Sequence, residues 1–90
     1  MPARDITIIN KLGLHARAAA KFVALASTYP CDVRLGRSSE SLIDGKSIMA
    51  VMMLAAGQGT TLHLSTSGKQ ENEAFEALQG LVNNYFDEGQ

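Results

Sequence analysis

The amino-acid sequence predicts an α+β open-faced sandwich: a four-stranded antiparallel sheet with three helices gathered on one face and the other face open to water. Three observations lead there. Apolar and polar residues alternate in four short stretches, recur at helical spacing in three others, and the stretches follow as strand, helix, strand, strand, helix, strand, helix. That order is two split strand-helix-strand units. Ninety residues with 46% hydrophobic content are enough for one core and too few for two, so a single domain over residues 1–90 is expected.

The first strand is "RDITIIN", with Ile6 and Ile8 on one face and Asp5 and Thr7 on the other; Ile9 breaks the alternation. From Ala16 to Thr28, Ala19, Phe22, Val23 and Ala26 recur at helical spacing while Arg17, Lys21 and Thr28 fall opposite, which makes an amphipathic helix. Pro30 stops it, because the residue before a proline avoids helical geometry. "CDVRLG" then alternates Cys31, Val33 and Leu35 inward against Asp32 and Arg34 outward. "RSSES" is turn material, "SLID" a short third strand, and "DGKS" a turn into the apolar run "SIMAVMMLAA", a short helix ending at "GQG". "TTLHLST" points Leu62 and Leu64 inward, and after Gln70 the residues Ala74, Leu78, Leu81, Val82 and Tyr85 mark the last helix. Gly80 costs that helix up to about 1 kcal/mol relative to alanine.

Composition excludes several classes of function. A formal net charge of −1 with scattered Lys and Arg leaves no basic footprint for nucleic acid or an anionic membrane. An RNA-binding sheet would want aromatic residues on its open face, and "RDITIIN" and "TTLHLST" have none. A single cysteine, Cys31, cannot form an internal disulfide and fits a reducing compartment. With no basic leader ahead of a long apolar stretch and no run of membrane-spanning length, a soluble cytoplasmic protein is expected. A chain this small also favours shallow docking at its surface over a deep enclosed site.

Chemistry concentrates at "NKLGLHARAAAKF". The first N–H groups of a helix have no partner inside it, and Ser, Thr, Asp or Asn usually caps them. Here the cap position holds His15 or Leu14, and "ARAA" comes next with no carboxylate or hydroxyl. The backbone N–H groups of Ala16, Arg17 and Ala18 are therefore open to water or to an external anion. Arg17 adds a planar fork of donors suited to phosphate, and Gly13 lets the chain turn sharply into place. At the edge of this cradle His15 offers an imidazole nitrogen that can take a phosphoryl group covalently, and the partly positive helix end stabilises the resulting dianion. A phosphorus–nitrogen bond keeps the group transferable, and no general base for water lies nearby in the sequence. Such a site suits a carrier better than a hydrolase. The residue types alone also allow His15 to be a polar loop residue and Arg17 a solvated helix residue.

"GLHARAAAKFVALA" resembles the active-centre segment of the HPr family, the histidine phosphocarriers of the phosphoenolpyruvate-dependent phosphotransferase system, and "DGKSIMAVMMLAAGQGTTLHL" resembles that family's second signature. Element order agrees over essentially the whole chain. The resemblance implies one HPr-like phosphocarrier domain in which His15 accepts a phosphoryl group on Nδ1 from phosphoenolpyruvate-charged enzyme I and passes it to an enzyme IIA protein. Arg17 would contact the phosphate. The protein would be a monomeric carrier within a relay, with no metal or organic cofactor, and not a stand-alone enzyme. "NKLGLHAR" together with "KSIMAVMMLAA" looks closer to the nitrogen-related branch, NPr, which implies the nitrogen-branch enzyme I and enzyme IIA as partners and an output in nitrogen regulation. One departure stands out: the family usually has proline where this chain has Ala18, and alanine adds a backbone donor.

Ser47 opens the second helix and has two readings, an N-cap worth about 1 kcal/mol or, as the resemblance implies, a regulatory phosphoserine beside a docking surface. "SIMAVMML" holds more apolar residues than a short helix buries on one face, so Ile48, Met49 and Met52 are candidates both for the core and for a docking patch near His15. "DGKS" is not a nucleotide-binding loop, since the glycine that motif requires falls at Glu40. His63 reads as a solvated strand residue. Cys31 and the two histidines, far apart in the chain, form no metal motif. The competing functional class is a phosphorylation-independent regulatory or small-ligand-binding module, because this layout serves many functions.

Overall fold

The computed structural model describes residues 2–87. Strands β1 (Ala3–Thr7), β2 (Asp32–Gly36), β3 (Leu42–Asp44) and β4 (Thr61–Ser67) form one sheet in the order β1-β4-β2-β3, with every neighbouring pair antiparallel. Helices α1 (Ala16–Ala26), α2 (Ile48–Met53) and α3 (Glu71–Asn83) come in the expected order, and a 3-10 turn (Tyr85–Asp87) succeeds α3. None of the helices among the described residues is long and apolar enough to cross a membrane.

The period-two pattern decides which face of the sheet meets the helices. Ile6, Val33, Leu35, Leu62 and Leu64 are buried in one core cluster, joined by Ile8 just beyond β1 and Cys31 just before β2. Asp5, Asp32, Arg34, Thr61 and Ser67 lie exposed on the opposite face. On that face His63 is more than solvated: its Nδ1 lies 3.1 Å from Asp5 Oδ1, its register partner across β1 and β4. Alternation placed the ring outward, and strand register supplied its partner.

Helix α1 buries Ala18, Ala19, Phe22, Val23 and Ala26. Ala18 thus joins the four positions expected from periodicity, and the helix ends at Ala26, before Thr28. There the amide and hydroxyl of Thr28 both donate to Leu25 O, at 3.1 and 2.7 Å, and tighten the last turn. Helix α2 also stops early. Instead of running to the glycines of "GQG", it ends at Met53, with Ala55 in the left-handed region at φ 51°. A left-handed residue at this point turns the chain so that Ala56 enters the core.

Helix α3 buries Ala74, Phe75, Leu78 and Val82, with Leu81 packed against the edge of the core. Tyr85 departs from the expected pattern: it lies beyond the helix and is exposed. The chain leaves helical geometry at Asn84, and the left-handed φ values of Tyr85, Phe86 and Asp87 (57°, 53° and 63°) swing Phe86 into the core in its place. Left-handed backbone costs about 1–2 kcal/mol per residue. Complete burial of Phe86 and a 2.9 Å hydrogen bond donated by Lys21 Nζ to its carbonyl oppose that cost and tie the turn to α1.

Gly80 sits on the exposed face of α3, and a Cβ built there meets nothing within 4 Å. Gly80→Ala should therefore raise unfolding free energy by up to about 1 kcal/mol. Urea titration followed by circular dichroism checks this, with an unchanged slope and a higher midpoint as the expected outcome.

Candidate functional site

The segment between β1 and α1 is held by backbone contacts to the turn between α2 and β4. Beyond β1, Ile8 N donates to Thr60 O (2.9 Å), Gly59 N donates to Ile8 O (2.7 Å), and Gln58 Nε2 donates to Ile9 O (3.1 Å). Fully buried Asn10 closes the next turn on itself: its Nδ2 donates to Gly13 O at 2.8 Å, and Gly13 N donates to Asn10 O at 3.2 Å. Leu14 N then donates to Ala56 O at 2.8 Å. Gly13 lies at φ +68°, and a Cβ there would come within 2.5 Å of Ala56 O and 2.7 Å of Gly57 Cα. A sharp turn and a close backbone approach both require glycine at this position.

This clamp delivers His15 to the N-cap of α1. Its backbone is extended (φ −72°, ψ 175°), its carbonyl accepts the first intrahelical bond from Ala19 N at 2.8 Å, and its side chain makes no capping bond. The first turn contains no acidic residue. The N–H groups of Ala16, Arg17 and Ala18 accordingly precede the first intrahelical donor. Their surroundings differ, which narrows the expected cradle of three amides. Ala16 and Arg17 are exposed, whereas Ala18 is fully buried and packs into the core. The open helix end is therefore formed by the first two. His15 is half-buried beside it, and the exposed side chain of Arg17 makes no hydrogen bond or ion pair among the described residues. An imidazole, two exposed helix-end residues and an exposed guanidinium together make a shallow site suited to a phosphoryl group.

Helix α2 supplies the surface next to this site, since it packs on α1 and the turn at its end carries Ala56. Only Val51 of α2 is buried. Ile48, Met49 and Met52 are all exposed, Met49 most of the three at 73%, so the core reading does not hold for them. Two further large apolar residues are exposed beyond the sequence-based expectation: Met53 at 80% and Leu12 at 67%. Leu12 could have been read from its place as the apolar member of the polar turn "NKLG"; burial of Val51 alone in the run "IMAVMM" leaves Met53 outside. Ser47 caps α2 with its side-chain oxygen accepting from Ala50 N at 3.3 Å. His63 and Cys31 lie elsewhere, on the sheet face and in the core, and no group of metal-ligating residues gathers among the described residues.

Residues 2–84 match the family described as the PTS HPr component phosphorylation site. The chain is 72% identical over 90 residues, covering 100% of both chains, to Phosphocarrier protein HPr of Pseudomonas aeruginosa. It is 39% identical over 85 residues, 94% of this chain and 92% of the other, to Phosphocarrier protein NPr of Shewanella violacea. The crystal structure of HPr-C-His from Thermoanaerobacter tengcongensis superimposes with a TM-score of 0.91 at 40% identity, covering 98% of each chain. An α+β sandwich built around a clamped histidine, matched over nearly its whole length by these proteins, places the chain in the HPr family of phosphocarriers.

Proposed function

We propose that His15 is the phosphoryl-accepting residue, taking the group on Nδ1 from enzyme I charged by phosphoenolpyruvate and passing it to an enzyme IIA protein. One observation carries this reading: the N-terminus of α1 has no side-chain cap and no acidic residue, and it presents His15 in extended conformation beside exposed Arg17. In the forward step the bond from phosphorus to the donor breaks as the phosphorus–Nδ1 bond forms. The same bond later breaks when the acceptor's nucleophile attacks phosphorus. The helix end and Arg17 stabilise the phosphoryl oxygens in both directions, as positioned donors do for phosphoryl groups in general. Hydrolysis stays slow because no carboxylate stands in the first turn to activate water.

Leu12, Ile48, Met49, Met52 and Met53 form the docking surface in this proposal. Flexible, polarizable methionines adapt to two partners of different shape. The partners are the enzyme I and enzyme IIA of the nitrogen-related branch, a reading supported by "NKLGLHAR", by "KSIMAVMMLAA" and by the likeness to the NPr protein. A second reading, with partners from the sugar-transport branch, is favoured by the greater identity to a protein called HPr. Ser47 acts as the cap of α2; phosphate on it would add charge beside the methionine patch and oppose docking. The whole chain works as one monomeric module in the cytoplasm.

The test is incubation of the purified chain with phosphoenolpyruvate and enzyme I of each branch, beside His15→Ala, with intact mass as readout. One acid-labile, alkali-stable phosphoryl group should appear on the wild type and be absent from the variant, and the faster enzyme I identifies the branch. A binding module without covalent chemistry would show no labelling with either active donor.

Two variants probe the surroundings of His15. Ala18→Pro should leave the transfer rate within about twofold, because the residue is buried and its amide precedes the first intrahelical donor; loss of transfer would reveal a need for that N–H or for a looser turn. Met49→Glu should weaken binding to enzyme I by about tenfold or more without unfolding the chain, since the side chain is 73% exposed. Calorimetric titration against enzyme I, with circular dichroism on the variant, measures both, and normal affinity would remove Met49 from the interface.

A further inference from the structure

Helix α2 has six residues, too few to be stable by its own hydrogen bonds, and its last carbonyls need partners from outside the helix. Arg37 provides one. It stands just past β2, where the chain turns toward β3, and Gly36 before it is pinched so tightly that a Cβ would lie 2.0 Å from Ser41 O. From this base Arg37 Nη2 donates to Leu54 O at 2.7 Å and reaches Ala55 O at 3.4 Å. Among the described residues no acidic side chain pairs with Arg37. The guanidinium is thus committed to the partly negative C-terminal end of α2, where a cation is favoured.

The turn that carries those two carbonyls links the contact to the site. Ala55 is left-handed at φ 51°, a conformation disfavoured for alanine, and it is flanked by the braced carbonyl of Leu54 and by Ala56. Ala56 O accepts from Leu14 N at 2.8 Å and lies against Gly13. Leu14 immediately precedes His15. A continuous path of hydrogen bonds and strained backbone therefore runs from Arg37 through the Leu54–Ala56 turn to the residue that sets the histidine's position.

We propose that Arg37 is a positioning residue for phosphoryl transfer: by bracing the strained turn after α2 it holds Ala56 O where it fixes Leu14 and hence the His15 ring. This rests on the reading of His15 as the phosphoryl acceptor. A small displacement of a reacting group is enough to slow transfer substantially, because the rate depends on alignment. If Arg37 were only a helix cap, its loss would lower stability and leave the transfer rate of the folded protein unchanged.

The experiment compares the full wild-type chain with Arg37→Ala, Arg37→Lys and His15→Ala. Each is phosphorylated by charged enzyme I and, separately, by phosphoramidate, whose phosphorus–nitrogen bond breaks with release of ammonia as the bond to His15 forms. Arg37→Ala should remain folded, transfer about tenfold more slowly from both donors, and move the Leu14 amide and His15 ring resonances in NMR spectra. Arg37→Lys, which keeps a cationic donor, should recover much of the rate. Should Arg37→Ala fail to fold, Arg37→Gln, which keeps an amide donor on a shorter stem, takes its place in the same comparison. Wild-type rates with unmoved Leu14 and His15 signals would overturn the assignment. Slowing with enzyme I alone would also overturn it, by locating the effect in docking. A wild-type chain that takes no phosphoryl group from either donor would instead overturn the carrier reading, and this assignment with it, whereas a labelled wild type matched by an equally fast Arg37→Ala removes the assignment alone.

Discussion

The hydrogen bond from Leu14 N to Ala56 O, with Gly13 pressed against the same carbonyl, is the joint on which the site depends. It connects two connecting segments, one between β1 and α1 and the other between α2 and β4, and no helix or strand supplies either end. A typical bond of this kind contributes only about 0.5–1.5 kcal/mol net. Its importance is geometric: it lies next to His15, and Leu14 and Ala56 are both buried in the core on either side of it. Loss of the contact would leave buried backbone groups unpaired, at a cost of about 1–3 kcal/mol, and would release the start of α1. The further bonds of Ile8, Gly59 and Gln58 extend the same joint back to the sheet.

This joint sets up a division of labour suited to a carrier. The sheet and the buried faces of α1 and α3 form the rigid part, with Phe22, Leu62, Leu64, Leu78 and Phe86 at its centre. The end of α1 where the proposed phosphoryl transfer would take place lies at the surface, with half-buried His15 beside exposed Ala16 and Arg17. Around it the short helix α2 leaves its methionines uncovered. Exposed apolar side chains of this kind are an aggregation liability on an ordinary small domain, and the docking role proposed for them accounts for the exposure. Burial of Ala18 sharpens the picture further, since this residue anchors the helix end to the core while Ala16 and Arg17 remain outside.

Local pattern made most of the fold legible. Alternation in "TTLHLST" and "CDVRLG" assigned Leu62, Leu64, Val33 and Leu35 to the core, and helical spacing did the same for Ala19, Phe22, Val23 and Ala26. Errors fall where the chain leaves regular geometry. Local pattern points to glycine as the end of α2, but Ala55 takes the left-handed turn, with the next residue in the core and Arg37 donating to the carbonyls beside it. Extending the period of α3 past its end places Tyr85 inward; three left-handed residues break that period and bury Phe86. No local propensity favours such a run, and only the space left by α1 and α3 explains it.

The sequence by itself determined the class of fold, the inward faces of its strands and helices, and the uncapped start of α1, because side-chain periodicity and the absence of a capping residue are local properties of "NKLGLHARAAAKF" and its neighbours. Only the tertiary structure decided how His15 is held, which of the first-turn residues are open, that Leu12 and Met53 are exposed, and that Arg37 reaches across to α2. These are contacts between segments far apart in the chain, made by backbone carbonyls and amides that every residue carries. Nothing in the identity of Ala56 or Leu14 announces such a bond; packing alone brings them to 2.8 Å.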